Sequence, residues 1–202
     1  MEKEGVINQK VREFSKQTDI IQTVIIFLVA FLVPTFLGSL ITNVFGKTSV
    51  IATKSQLIVG SIVNVALILT ALNLKGPAKI LGVVTMPSVS TILSGHVFKT
   101  ASPYMAYMIP AIWIGNFLLI YSYKLLFVSK NKNYILASIV GIALKVAVIF
   151  GVFSILKLFG IFPEKLISNL QVAMSSTQLI TATIGAVITY IIYIVEKKAI
   201  KE

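Results

Sequence analysis

The chain has 202 residues, 56% of them hydrophobic and only 12% charged, with a mean hydropathy of +0.92. An average globular chain carries about 25% charged residues, so this one lacks the polar groups that a water-soluble surface of its size needs. The formal charge of +11 comes from 18 Lys and Arg against 7 Asp and Glu. No basic stripe interleaved with aromatic residues accompanies it, which argues against a nucleic-acid partner. The absence of cysteine excludes disulfides and thiolate-held iron–sulfur clusters.

Residues 1–19 are polar and mixed in charge, and no short apolar segment with a small-residue cleavage site follows them. They read as a cytoplasmic N-terminal segment, and the first span serves as its own insertion signal. Six apolar runs then follow, at about 20–45, 55–74, 78–94, 104–128, 134–159 and 170–195. At 1.5 Å per residue, runs of this length match a hydrocarbon core of about 30 Å. The runs are continuous rather than alternating, which favours helices over a β-barrel. Pro34, Pro87 and Pro110 fall inside spans 1, 3 and 4, where proline kinks a membrane helix rather than ending it. Between the spans lie the turn at Asn73 to Pro77, a polar loop from Gly95 to Pro103, SKNKN at 129–133 and a loop from Gly160 to Asn169. Residues 196–202 read as a charged cytoplasmic tail.

The expected fold is therefore all-α: a polytopic membrane helix bundle of about six transmembrane helices, occupying 20–195. The N-terminal segment, the 2–3 turn, the 4–5 loop region and the C-terminal tail carry 12 Lys and Arg, and the opposite side carries 5. That bias places both termini in the cytoplasm, and the expected location is the bacterial cytoplasmic membrane.

The eighteenth basic residue, Lys145, lies near the centre of span 5 between Ile142-Ala143-Leu144 and Val146-Ala147-Val148. A lysine at that depth costs about 2.5–3.5 kcal/mol on insertion scales. One reading is an inward-facing cation for an anionic or strongly polar ligand. The other is a structural lysine bonded to helix carbonyls or to an asparagine on a neighbour. All seven carboxylates lie in tails, loops or span ends. No intramembrane acid is present to act as a proton relay or to bind a hard cation, so no metal or other cofactor is expected.

Asn64, Asn116, Gln171 and Gln178 are candidate amides within the spans; each either bonds a ligand or ties helices together. Trp113 and Tyr107 are deep enough in span 4 to stack on a planar ligand. Ala30, Pro34 and Gly38 fall on one face of span 1, and Gly60 and Asn64 on one face of span 2. Such faces let helices approach closely, within the bundle or against another subunit. The one histidine, His96, lies in the 3–4 loop beside Ser94, and no hydrolase or phosphate-binding motif accompanies it.

Six short spans, both ends inside, a small-residue face on span 1 and no energy-coupling machinery resemble the substrate-binding S components of energy-coupling-factor (ECF) vitamin transporters. The segments FLVPTF (31–36), GSIVNVALIL (60–69), TMPSVSTILSG (85–95), YMIPAIWIGNFLL (107–119) and AMSSTQLITATIGAVI (173–188) are also similar to a clostridial-type family of small membrane proteins often labelled "iron hydrogenase". The missing cysteines contradict the hydrogenase label.

The S-component resemblance implies a non-enzymatic binding subunit for a small vitamin-like or anionic solute. It also implies a transmembrane coupling subunit and ATPases as partners. It places the coupling face at Ala30, Pro34 and Gly38. The substrate site would draw on Lys145, Asn116 and Gln178, with Asn64 and Trp113 as further candidates. Two other classes fit the composition: an accessory membrane subunit of a redox or other enzyme complex, and a stand-alone channel or transporter.

Overall fold

The computed structural model describes residues 19–45, 55–94 and 102–199. His96 and Ser94's side chain therefore lie outside the described part, as do the segment 1–18 and the loops 46–54 and 95–101. Among the described residues the chain is entirely helical apart from short turns. We number six helices: α1 (19–45), α2 (Ser55–Asn73), α3 (Pro77–Ser94), α4 (102–129), α5 (Tyr134–Leu158) and α6 (164–199). Five of them contain stretches long and apolar enough to cross a membrane, and the apolar stretch in α3, Pro77–Leu93, is shorter.

The prolines act as local adjustments. Pro34 sits in a π-helical turn, Val33–Leu37, within α1. The carbonyl of Phe31 there accepts from the Thr35 hydroxyl at 2.9 Å and from the Ser90 hydroxyl of α3. A neighbouring helix thus compensates the widened turn. In α4 a 3-10 turn, Ala106–Met108, precedes Pro110, which occupies the start of the segment Ile109–Ser122; there its missing N–H removes no bond. The Asn133 side chain caps α5 by accepting from the Ile135 N–H at 2.8 Å.

Two boundaries depart from expectation. Residues 164–169 do not form a loop: α6 begins at Glu164, directly after Pro163, and its first arm Glu164–Met174 is amphipathic. Ser175 (φ −114°, ψ −93°) breaks the helix before the second arm, Ser176–Ala199. Pro163 fixes a start that the polar residues Glu164, Lys165, Ser168 and Asn169 conceal in a hydropathy reading. At the other end, Glu196, Lys197 and Lys198 continue the helix rather than forming a loose tail.

The bundle buries several polar side chains among apolar ones and has an apolar exterior. Leu81, Leu93, Ile135, Ile139, Leu158, Phe159 and Ile191 are each more than half exposed, while Asn64, Asn116, Thr181 and Lys145 are buried. In water such an exterior would form a large apolar patch; against lipid tails it carries no penalty. Helix α2 is the most enclosed. The closest helix pairings are α2 with the second arm of α6, and α4 with α5. Glycines permit both. A Cβ on Gly185 would lie 2.6 Å from the Asn64 Cβ, and one on Gly115 would lie 3.0 Å from Ile149.

The interior has two apolar cores. The larger unites Leu67, Ile68, Ala71, Tyr123 and Tyr134 with Ala182 and Ala186. The smaller joins Met105, Met108, Ile149, Phe153, Leu170 and Met174.

Candidate functional site

A cavity of about 90 Å³ lies among the six helices, drawing Val59 and Val63 from the larger core and Met105 from the smaller. A water needs about 10–15 Å³ by this kind of measure, so the space suits several waters or one compact solute. It is built from Pro34 of α1, the first half of α2, the last turns of α3, the first half of α4, Lys145 of α5 and the start of the second arm of α6. The cavity therefore occupies the half of the bundle where α2 and α4 begin and α3 ends.

Lys145 stands eleven residues from Tyr134 and thirteen from Leu158, about 17 and 20 Å along the axis at 1.5 Å per residue. It is 2% exposed. At that depth no lysine stem reaches either helix end. Its Nζ donates to Asn64 Oδ1 at 2.6 Å. Asn64 Nδ2 in turn donates to the Gly60 carbonyl at 2.8 Å and to Thr181 Oγ1 at 3.3 Å. The Thr181 hydroxyl donates to the Thr177 carbonyl at 2.8 Å. This chain of bonds links α5, α2 and α6. It forms because Asn64 lies against Gly185, where the absent side chain lets α2 and α6 approach.

Several buried hydroxyls return their proton one turn back along their own helix, as Ser61, Thr70 and Thr189 do. Lysine and the amides have no such complete local solution. Asn116 Nδ2 reaches the Val84 carbonyl only at 3.4 Å, and Gln178 Nε2 reaches the Ala173 carbonyl at 3.3 Å. The Ser88 hydroxyl is buried at the cavity wall without a partner. Among the described residues the lining thus offers one amine, several amides and several hydroxyls, and no carboxylate. An ammonium has three donors, and Asn64 takes one of them. Among the described residues no group of three His, Cys, Asp or Glu is placed to hold a metal.

The structure brings Lys145, Asn64, Asn116 and Gln178 to one cavity, from four different helices. Trp113 is not among the lining residues. It packs against the larger core, and its indole N–H is buried without a partner; helix rotation turns Ile112 and Asn116 to the cavity instead. Tyr107 is 56% exposed and Gln171 also lies outside the cavity. Ala30 is fully buried and Pro34 lines the cavity, so both point into the bundle rather than toward another subunit. Gly38 is helical, and its surroundings lie outside the described features.

Ser88, Thr177 and Thr181 are lining residues that the sequence reading missed. Their signal was the i, i+4 pair Thr177 and Thr181 flanking Gln178, and a serine directly after Pro87. In an otherwise apolar span such small polar residues mark an interior face.

The helical architecture, apolar exterior and buried polar side chains define the class: a membrane-protein-like helix bundle with a largely apolar cavity that carries a few polar side chains. Comparison with protein-family models, curated proteins and solved structures finds no match for this chain.

Proposed function

We propose that this chain binds one small anionic or strongly polar solute beside Lys145, without carrying out chemistry on it. The observation that carries the reading is a lysine enclosed at mid-bundle, on a cavity whose lining holds no carboxylate. A buried cation without a counter-ion is costly. A solute anion would supply the missing charge, and Asn64, Asn116, Gln178 and Ser88 would supply hydrogen bonds.

In the full reading six helices cross a bacterial cytoplasmic membrane with both termini inside. The cavity then lies in the outer half, since Lys75, Lys79, Lys124, Lys130, Lys132, Lys197 and Lys198 gather at the opposite end. The chain would act as an S-component-like uptake subunit, with a transmembrane coupling subunit and ATPases driving release inward. The lack of any carboxylate in the cavity supports dependence on partners over autonomous proton coupling. Because Ala30 and Pro34 face inward, such a partner would dock on another surface.

The test is thermal stabilisation of the purified chain by a panel of small organic anions and neutral polar metabolites, with Lys145→Met in parallel. Stabilisation by an anion in the native chain and its loss in the variant would support the reading. A folded, monodisperse native chain that no panel member stabilises would count against it. Co-expression with a general ECF module then separates the classes. A stable complex supports the uptake subunit, a captured redox subunit supports an accessory role, and solute flux in liposomes holding this chain alone supports an autonomous transporter.

The 2.6 Å Lys145–Asn64 bond favours a second reading, in which the lysine only ties α5 to α2. That reading requires Lys145→Met to bind the solute as the native chain does.

A further inference from the structure

A second cleft, of about 520 Å³, lies at the lysine-rich end between α3 and α4. Lys75 and Lys124 line it, together with Ile80, Leu81, Phe117 and Tyr121. The two lysines are near enough to repel one another. Among the described residues no carboxylate lines the cleft. Nearby Asp19 is already paired with Lys79. Lys124 Nζ donates to the Leu74 carbonyl at 2.6 Å, which fixes its head at the rim. Gly76, at φ +94°, turns the chain there and leaves open space where a side chain would stand.

The rest of the wall is apolar and faces outward. Leu81 is 54% exposed and Phe117 41%, and Phe117 stacks on Tyr121 with ring centroids 5.9 Å apart. A lysine pair at a helix end, a tyrosine at the same level and an apolar wall running toward mid-bundle match the parts of a lipid molecule in order. The head group would meet cations at the interface, and the tails would meet hydrocarbon. A free soluble anion would use the lysines and leave the apolar wall uncovered.

We propose that the cleft between α3 and α4 is a binding site for an anionic glycerophospholipid, its phosphate between Lys75 and Lys124 and an acyl chain along Leu81 and Phe117. The site is separate from the central cavity and does not depend on what that cavity binds. Near a membrane surface each lysine contributes about 1 kcal/mol to anionic-lipid binding, or about fivefold in affinity.

The test uses the full chain in detergent, titrated with phosphatidylglycerol or phosphatidylcholine and followed by native mass spectrometry and thermal unfolding. The native chain should retain phosphatidylglycerol preferentially and be stabilised by it. Lys75→Gln should weaken that binding about fivefold, and Lys75→Gln with Lys124→Gln should abolish the preference. The control pair Lys130→Gln and Lys132→Gln removes the same charge from the same end, outside the cleft, and should leave the preference intact. Among the described residues Lys75 makes no hydrogen bond, so the single variant remains informative if the double variant misfolds. Equal preference for the two lipids would overturn the proposal. So would equal loss in the control pair, which would assign the effect to general surface charge. Equal stabilisation by inorganic phosphate would assign the cleft to a soluble anion instead.

Discussion

Lys145 and Asn64, 81 positions apart in the chain, meet at 2.6 Å in the interior and form the junction between α5 and α2. The bond gives the lysine a neutral acceptor rather than a counter-ion. Such a pairing holds the amine in place and leaves its charge available to a solute.

That geometry predicts an asymmetry between the two partners. Asn64→Leu strands the amine without an acceptor and should lower stability by about 1–3 kcal/mol. Lys145→Met removes the buried amine itself and should leave stability within about 1 kcal/mol of the native chain, while solute-dependent stabilisation disappears. Combining the two should recover most of what Asn64→Leu loses. Thermal unfolding in detergent reads all three, and equal destabilisation by the two single variants would show that the bond is mainly a structural tie.

The α2–α6 contact predicts which glycines tolerate a methyl group. At Gly185 a Cβ would meet the Asn64 Cβ at 2.6 Å and backbone atoms of Asn64 and Ser61 at 3.1 Å. Those backbone atoms cannot swing aside, so Gly185→Ala should cost about 1–3 kcal/mol and loosen the site through Asn64. At Gly151 nothing lies within 4 Å, and Gly151→Ala should be neutral or gain up to about 1 kcal/mol. A Gly185→Ala variant as stable as Gly151→Ala would contradict the close packing described here.

Among the described residues two buried side-chain polar atoms lack partners, the Ser88 hydroxyl and the Trp113 indole N–H, and of these Ser88 lies at the cavity. Neither Ser88→Ala nor Trp113→Phe removes a protein hydrogen bond, so stability should move by less than about 1 kcal/mol in both. Solute affinity should separate them. Ser88→Ala should weaken binding by about two- to tenfold, the worth of one hydrogen bond, and Trp113→Phe should leave it unchanged. Calorimetric titration of each variant decides the matter, and a loss confined to Trp113→Phe would restore a stacking role for the indole.

At the opposite end, Tyr134 packs against Tyr123, Phe127 and Tyr190, and its hydroxyl donates to the Ala186 carbonyl at 2.8 Å. Tyr134→Phe keeps the ring packing and removes one buried hydrogen bond, to a carbonyl that also lies within the α6 backbone ladder. Stability should fall by about 1 kcal/mol, with solute affinity intact because the cavity is built from the other half of the bundle. A thermal scan with and without solute tests this, and a drop in affinity larger than the drop in stability would mean that the two ends are coupled.

Much of this protein was legible from the chain alone. Hydrocarbon-length apolar runs impose helices locally, because lipid offers no other partner for the backbone. Their positions could therefore be read without knowing any contact. Lys145 stood out for the same reason, as a cation at the centre of an apolar run whose other charge, Lys157, lies at its end. The first arm of α6 did not stand out, since its polar face lowers the hydropathy that marks a span, and only the backbone shows that Glu164 opens a helix.

Rotation of each helix about its axis was decided only by the tertiary structure. Spans that are apolar on every side carry little amphipathic signal to say which face turns inward. The contacts that settle it come from other helices: Gly185 against Asn64, Gly115 against Ile149 and Ser90 against the Phe31 carbonyl. Those contacts turn Asn64, Asn116, Lys145 and Gln178 toward one cavity, keep Trp113 out of it, and bury Ala30 and Pro34 where the residue spacing alone allowed an outer face. The chain determined which polar groups enter the membrane, because that choice is written residue by residue. Their meeting depended on close packing between distant helices, which no single span encodes.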